Sequence, residues 1–294
     1  MADDPQLQTR RAQPVTAAGL PNFLIIGAIK AGTTSLWSYL RDHPQVFVAS
    51  AKEPHFFSRN WELGREWYEH HFENAGDSLA VGEGSTSYSK YPHEGPVPAR
   101  MAKVIPGVRL IYMVRHPIER IRSHYVHETV HGPERRPIEE AFQGKNVYVD
   151  ASRYAFQIEQ YLQHFPSQQL LVITSESLLS QRRATMGRVC EFLGIDGTWE
   201  SPFLEHEFNR TSDKKERRPL AVGVRRLPGY RRLTRFAPPW LKMLNYRLTT
   251  RPRVAPEQGI IPPSLRAELE ERLGEDVGRL RRYLGPDFDG WGIG

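Results

Sequence analysis

The sequence predicts an α/β fold in which a central parallel sheet lies between layers of helices. Short apolar runs that are typical of buried strands alternate with stretches of helical periodicity, and this alternation favours parallel strands joined by helical crossovers. A glycine-containing turn between the first strand and the first helix is the second indication. The composition, 39% hydrophobic and 25% charged over 294 residues, is ordinary for a globular protein.

The alternation can be followed element by element. Strands are predicted at 23–28, 79–85, 109–115 and 169–177. Helices are predicted at 33–41, 117–131, 152–164 and 181–193, and Pro117 is a favourable first residue for the second of them. Right-handed crossovers align the carboxyl ends of parallel strands at one edge of the sheet, so we expect ligand-binding residues directly after the strands.

Three regions lie outside this alternation. Residues 1–20 are polar and lack the apolar run of a signal peptide, so we expect a mobile tail before a single domain at 21–294. Residues 209–262 contain ten prolines and glycines, which indicates an insertion. Residues 263–284 predict an amphipathic helix whose stripe of leucines, at 265, 269, 273 and 280, packs against the core.

Positive charge is concentrated in the insertion. The whole chain has a net charge of +6, but residues 209–253 alone carry 14 Lys and Arg against two Asp and Glu. Such a segment is either a solvated basic loop or a contact for a phosphorylated cofactor, a nucleic acid or an anionic surface. No nucleic-acid motif or aromatic platform accompanies it, so we expect no nucleic-acid partner and keep a peripheral contact with an anionic surface open.

The predicted location is the cytoplasm. No window approaches the roughly 18 apolar residues that are needed to cross a membrane. The single cysteine, Cys190, lies in an apolar helical pattern and cannot form an internal disulfide. The single cysteine fits a reducing compartment, and the missing membrane span and signal peptide favour the cytoplasm.

The turn after the first strand has the features of an anion-binding loop. Gly27 and Gly32 have the spacing of a nucleotide-binding P-loop, but the lysine, Lys30, precedes the second glycine instead of following it. Backbone N–H groups at the start of a helix favour an anion, and a run of hydroxyls follows at 33–35. The loop therefore predicts a phosphate-containing ligand, held differently from a nucleoside triphosphate.

The neighbouring strands lack the usual magnesium ligands. A P-loop NTPase needs a carboxylate at the end of an adjacent strand. The strand at 109–115 ends in Arg115, and Glu83 in the strand at 79–85 has no partner carboxylate in an Asp-x-x-Gly motif. We therefore predict a site that consists of cations and hydroxyls, without a metal.

Four ordered motifs resemble those of the PAPS-dependent sulfotransferases, and more narrowly their heparan sulfate branch with its bacterial relatives. They are IIGAIKAGTTSL (25–36), AKEPHFFS (51–58), GEGSTSYS (82–89) and YMVRHPIERIRSHYVH (112–127). The resemblance extends over about 22–195. It implies a P-loop-like three-layer fold and an enzyme that moves the sulfuryl group of 3′-phosphoadenosine 5′-phosphosulfate (PAPS) to a hydroxyl, less often an amine.

The resemblance also implies roles for the donor-binding residues. The first loop would hold the 5′-phosphosulfate, with Lys30 at the bridging oxygen where charge develops. Arg115 and Ser123 would bind the 3′-phosphate, for which a guanidinium offers paired hydrogen bonds. The nucleotide-binding residues are expected to be Lys30, Ala31, Gly32, Thr33, Thr34, Ser35, Arg115 and Ser123, with Lys214, Lys215 and Arg217 as a closing basic loop.

Two residues compete for the role of general base. Glu83 lies in a context similar to that of a catalytic glutamate in the heparan sulfate branch. His55 is the rival, because small-molecule sulfotransferases use a histidine, though in a different motif. By the same resemblance, Lys52 would help to hold the sulfuryl oxygens.

Two other functions stay open at this point. A P-loop kinase of small molecules would bind ATP with magnesium, and a non-catalytic polyanion-binding protein would use the basic segment at 209–253. For the sulfotransferase, the acceptor is a carbohydrate, a lipid or a secondary metabolite.

Overall fold

The computed structural model describes residues 19–49, 51–199 and 259–293, together with the backbone of two short strands at 215–217 and 250–252. The chain forms two compact units. The main unit comprises Met1–His206 and Gln258–Gly294, and the smaller one comprises Glu207–Glu257. Within the smaller unit, β6 (Lys215–Arg217) and β7 (Thr250–Pro252) pair in antiparallel fashion.

The main unit contains a five-stranded parallel sheet flanked by helices, which confirms the predicted three-layer α/β fold. Its strands are β1 (Phe23–Gly27), β2 (Val46–Val48), β3 (Ala80–Gly84), β4 (Arg109–Val114) and β5 (Leu170–Thr174). Their order across the sheet is β2-β3-β1-β4-β5. Every residue of the central strand β1 and of its neighbour β3 is buried, as expected of a parallel sheet that is covered on both faces.

The helices follow the predicted alternation, with several short additions. They are α1 (Thr33–Asp42), α2 (Gly64–Glu69), α3 (Val97–Val104), α4 (Pro117–His131), α5 (Ile138–Ala141), α6 (Val147–Asp150), α7 (Tyr154–Leu162), α8 (Ser175–Ser180), α9 (Arg182–Leu193) and α10 (Pro263–Leu284). Single 3₁₀ turns occur at Trp61–Leu63, His70–Phe72, Ser167–Gln169 and Gly290–Gly292.

The last predicted strand is shorter than its apolar pattern suggested. The strand β5 ends at Thr174, and α8 begins at the next residue. The Thr174 hydroxyl accepts the backbone N–H of Ser177 at 3.0 Å, which caps the new helix. A side-chain cap therefore turns the chain from strand to helix inside the predicted range 169–177.

The long helix α10 packs its leucine stripe into the core of the main unit. Leu269, Leu273 and Leu280 are fully buried, and Leu265 is nearly so. Leu265, Leu269 and Leu273 join a cluster that includes Ile118 and residues of α5 and α6. Since Ile118 belongs to α4, this packing also fixes the helix that follows β4.

Strand register brings two loops to the same edge of the sheet. The strands β1 and β4 are parallel neighbours, with Leu24 opposite Leu110 and Gly27 opposite Tyr112. The chain therefore leaves both strands side by side, at their carboxyl ends. This is the edge at which α/β sheets bind their ligands.

Within the described part of the chain, no helix is both long enough and apolar enough to cross a membrane. The cytoplasmic location expected from the sequence is a separate matter and stays a prediction.

Asp276 on α10 provides a test of how the C-terminal helix stabilises the fold. Its buried carboxylate accepts the backbone N–H groups of Ala155 and Phe156, at 3.0 and 2.9 Å, in the first turn of α7. Changing Asp276→Ala leaves these buried donors without an acceptor, so we expect the free energy of unfolding to fall by about 1–3 kcal/mol. Urea denaturation measures this difference.

The matched control is Glu275→Ala, one residue away on the same helix. Glu275 is exposed, and among the described residues its ion-pair partner is Arg279, four residues later. An exposed pair of this kind contributes roughly 0–1 kcal/mol. Equal losses in the two variants would show that the α10–α7 contact does not depend on Asp276.

Candidate active site

The loop between β1 and α1 adopts a backbone conformation that requires its glycines. Gly27, Lys30 and Gly32 have φ angles of 143°, 68° and 90°, in the region that glycine enters without strain. A Cβ atom added to Gly27 would lie 2.0 Å from the Ser89 hydroxyl, so the loop also needs glycine to approach the chain after β3. The loop is fastened to β4, because the Ala28 N–H donates to the Met113 carbonyl at 2.6 Å.

The start of α1 offers backbone donors to a ligand. The residue before the helix is Gly32, which has no side chain to cap it. The first backbone N–H groups of any helix lack partners inside the helix, and the helix dipole favours an anion there. Thr34 and Ser35 are partly exposed at this end, whereas Thr33 is buried. The loop thus has the features of an anion-binding site.

Arg115 lies next to this loop. It follows β4 directly, and its Nη1 atom donates to the Lys30 carbonyl at 3.4 Å. Its own carbonyl accepts the Tyr154 hydroxyl at 2.7 Å, which anchors the backbone. The fold therefore brings together the two motifs that the sequence assigned to opposite ends of one nucleotide.

A buried arginine ties α4 to the same loop. Arg120 is fully buried, and its Nη1 atom donates to the Ile29 carbonyl at 3.4 Å and to His124 Nδ1 at 3.3 Å. Its Nε atom donates to the Ser152 hydroxyl at 2.6 Å. Burial lowers the pKa of Arg120 from its ordinary value, so carbonyl and hydroxyl acceptors must compensate its charge. Ser123, on the next turn of α4, is partly exposed.

Lys52 reaches the loop from the segment after β2. Its Nζ atom donates to the Thr34 hydroxyl at 2.6 Å, and it lies 3.4 Å from Glu53 Oε1. The other Glu53 oxygen accepts the Thr86 hydroxyl at 3.1 Å and lies 3.5 Å from His55 Nε2. A lysine and a carboxylate thus stand together beside the hydroxyl cluster, each with 29% of its side chain exposed.

The backbone around Glu53 is strained. Glu53 and His55 have φ angles of 76° and 54°, which non-glycine residues rarely adopt. Such conformations persist only where the surrounding structure enforces them, and they are frequent at functional sites. His55 Nδ1 lies 2.7 Å from the Ser87 hydroxyl, and burial is the main cause that lowers the pKa of His55.

Glu83 occupies a different environment. It is fully buried in β3 and accepts hydrogen bonds from the hydroxyls of Tyr88 at 2.6 Å, Ser85 at 2.8 Å and Tyr68 at 3.3 Å. Burial raises its pKa to about 7, although these hydrogen bonds act in the opposite direction. Ser85 in turn accepts the backbone N–H of His55 at 3.0 Å. Glu83 therefore supports the segment that carries Glu53 and His55.

The predicted site residues divide into three groups. The loop at 30–35, Lys52 and Arg115 lie together, and His55 lies beside them. Glu83 lies behind this group, without exposure to solvent. For the basic closing loop, Lys214 falls outside the described residues, and Lys215 and Arg217 are described only through the backbone of β6.

The sequence analysis did not predict a role for Glu53, although this residue lies inside the motif AKEPHFFS (51–58). Its neighbours in the chain are Lys52 and a proline, and nothing in that spacing indicates contact with Thr34 or Thr86. Only the parallel pairing of β2 with β3, and of β3 with β1, brings these segments together.

Metal ligands are a separate question. Among residues 19–49, 51–199 and 259–293, no three His, Cys, Asp or Glu side chains are grouped as a metal site requires. The expectation of a metal-free site remains a prediction.

Comparison with known proteins identifies the family. Residues 20–218 match the family model described as "Sulfotransferase domain". The chain is 35% identical to human heparan sulfate glucosamine 3-O-sulfotransferase 3B1 over 186 residues, which are 60% of this chain and 46% of that protein. The human 3A1 enzyme is similar at the same identity, with 45% of its length matched. The chain therefore spans about half the length of these curated relatives.

A solved structure shares the fold. The sulfotransferase from Alicyclobacillus acidocaldarius superimposes with a TM-score of 0.65 at 24% identity, over 93% of this chain and 99% of the other. The family match covers more than half of the present chain. The chain therefore belongs to the sulfotransferase family and resembles its heparan sulfate branch.

Proposed function

We propose that this protein transfers the sulfuryl group of PAPS to a hydroxyl, less often an amine, of a carbohydrate, lipid or secondary-metabolite acceptor. The contact between Arg115 and the Lys30 carbonyl carries this proposal, because it places a guanidinium beside the anion-binding loop. One donor nucleotide with phosphates at both ends would use both features.

The binding roles follow from the geometry of the loop. The backbone N–H groups at the start of α1 and the hydroxyls of Thr34 and Ser35 would hold the 5′-phosphosulfate. Arg115, with Ser123 on α4, would hold the 3′-phosphate. When bound, PAPS supplies an activated sulfuryl group whose transfer leaves negative charge on the phosphate. Lys30 and Lys52 would stabilise that charge through their ammonium groups.

We propose Glu53, rather than Glu83 or His55, as the general base. Glu53 is partly exposed, lies beside Lys52 and has a strained backbone conformation. Glu83, in contrast, is fully buried and already accepts hydrogen bonds from three hydroxyls. A base must reach the hydroxyl whose proton it removes, and an enclosed carboxylate has no path to an acceptor. Glu83 would then act as a positioning residue, through Ser85 and His55.

The two rival functions make different predictions. A small-molecule kinase would bind ATP with magnesium through a carboxylate near the loop. Glu53, whose partner Lys52 also binds the Thr34 hydroxyl, is already engaged by Lys52 and Thr86. A polyanion-binding protein would use residues 209–253, most of which lie outside the described residues, as does any surface contact made by them.

We also propose a cytoplasmic location, which fractionation of the native cells would test.

Nucleotide binding is the first test. We expect calorimetry to show that adenosine 3′,5′-bisphosphate, the desulfonated donor, binds more tightly than ATP with magnesium. Arg115→Ala should weaken binding of the bisphosphate about tenfold or more, because a charge-assisted pair of hydrogen bonds is lost. Arg109→Ala, at the opposite end of β4, is the matched control and should bind normally. Preference for ATP with magnesium would instead favour the kinase.

The base is tested by comparing Glu53→Gln with Glu83→Gln. Sulfur-labelled PAPS and a panel of carbohydrate, lipid and phenolic acceptors measure turnover. We expect Glu53→Gln to lower kcat about 100-fold or more while bisphosphate binding is kept, as for loss of a general base. Glu83→Gln should retain much of the turnover. The reverse order, with Glu83→Gln inactive and Glu53→Gln active, would return the role of base to Glu83.

The buried state of Glu83 predicts a pH effect on stability. The folded protein keeps the Glu83 proton up to a pKa of about 7, whereas the ordinary value is 4.5. Between these values the folded state binds more protons than the unfolded state, so stability falls as pH rises through this window and levels off above it. The wild type should lose about 3 kcal/mol more than Glu83→Gln across this window. Urea unfolding at several pH values would reveal it, and parallel curves would contradict the assignment.

A further inference from the structure

The peptide bond between Arg115 and His116 is held on both sides by side chains from other elements. Its carbonyl group accepts a hydrogen bond from the Tyr154 hydroxyl at 2.7 Å. Its N–H group donates to Glu176 Oε1 at 3.0 Å. Tyr154 is the first residue of α7, and Glu176 lies in the first turn of α8. Two separate helices therefore fix the plane of one peptide bond.

The pairing of β4 with β5 brings Glu176 to this peptide. The two strands are parallel, and Val114 at the end of β4 lies opposite Thr174 at the end of β5. His116 is two residues beyond Val114, just as Glu176 is two residues beyond Thr174. The two chain segments leave the sheet side by side, so the carboxylate of one reaches the backbone of the other.

Glu176 takes the place of a capping residue that α4 does not supply itself. His116 precedes the first residue of α4 and is its N-cap. In a capping box, a glutamate three residues after the N-cap accepts the backbone N–H of the N-cap. Glu119 has that position, but its carboxylate lies 3.6 Å from Arg122 and 3.7 Å from Arg266. The N–H of His116 is bound instead by a carboxylate 60 residues away.

The contact with His116 is the main feature that explains Glu176. The other carboxylate oxygen, Oε2, is buried and has no hydrogen-bond partner among the described residues. A buried polar atom without a partner costs free energy, so Glu176 is an unfavourable choice for stability alone. On the other side of the peptide, burial raises the pKa of the Tyr154 hydroxyl, which therefore keeps the proton that it donates.

We propose that Glu176 is a positioning residue for Arg115 and acts through the Arg115–His116 peptide, with Tyr154 as its counterpart on the carbonyl side. The inference rests on the proposed function, in which Arg115 and Ser123 hold one 3′-phosphate. This peptide joins β4, which Arg115 follows, to α4, which carries Ser123. A rotation of its plane would move the two phosphate ligands relative to each other, and a binding site tolerates only about 0.5 Å of such misplacement.

Two nucleotides that differ only in the 3′-phosphate separate this role from a general effect on the fold. Adenosine 3′,5′-bisphosphate and adenosine 5′-phosphate are titrated into the full chain by calorimetry, with ligand-observed NMR for weak binding. We expect Glu176→Ala to weaken bisphosphate binding about tenfold and to leave binding of the monophosphate unchanged. Glu176→Gln keeps an oxygen that accepts the His116 N–H, so it should bind the bisphosphate within about twofold of the wild type.

A double-mutant cycle tests whether Glu176 acts through Arg115. In an Arg115→Ala background, Glu176→Ala should cause no further loss of bisphosphate binding, because the guanidinium that it positions is gone. Tyr154→Phe removes the other hydrogen bond to the peptide and should behave in the same way, so it provides the cycle if Glu176→Ala does not fold. Glu119→Ala is the matched control, since it removes a carboxylate from the first turn of α4 without touching the peptide. It should bind both nucleotides normally.

Several results would overturn the positioning role. These are unchanged bisphosphate binding in Glu176→Ala, equal losses for the two nucleotides, losses in Glu119→Ala as large as those in Glu176→Ala, or losses that add to those of Arg115→Ala. Failure of the proposed function gives a different result, because the wild type would then bind no bisphosphate or Arg115→Ala would bind it normally. In that case the positioning role falls together with the donor site.

Discussion

The site depends on the parallel pairing of β1 with β4. This pairing sets Gly27 opposite Tyr112, so that the loop after β1 and the arginine after β4 leave the sheet side by side. The contact between Arg115 Nη1 and the Lys30 carbonyl is the direct result. Without that register, the two halves of the proposed nucleotide site would not lie side by side.

The segment after β2 and the end of β3 also meet the loop after β1 at this edge of the sheet. The segment after β2 reaches the loop through Lys52 and Thr34, and the buried carboxylate of Glu83 supports it from below through Ser85. In the proposed function, the enclosed carboxylate of Glu83 positions this segment, and the partly exposed carboxylate of Glu53 removes the proton of the acceptor.

The sequence predicted the parts of this arrangement that are local. The fold class, the four longer strands and the loop with its two glycines follow from periodicity and spacing, because buried parallel strands are nearly continuous apolar runs. The three-residue strand β2 is too short for such a pattern, and the turn from strand to helix at Thr174 depends on one side-chain cap. Contacts between segments that are distant in the sequence could not be predicted from periodicity and spacing. Glu53, for example, accepts a hydrogen bond from Thr86, which lies more than 30 residues further along the chain.

A crystal structure of the complex with adenosine 3′,5′-bisphosphate tests the central claim most directly. We expect one nucleotide whose 5′-phosphate lies against the amides of residues 31–35 and whose 3′-phosphate contacts the Arg115 guanidinium. A nucleotide bound elsewhere, or one whose two phosphates never reach both the loop and Arg115, would contradict the account.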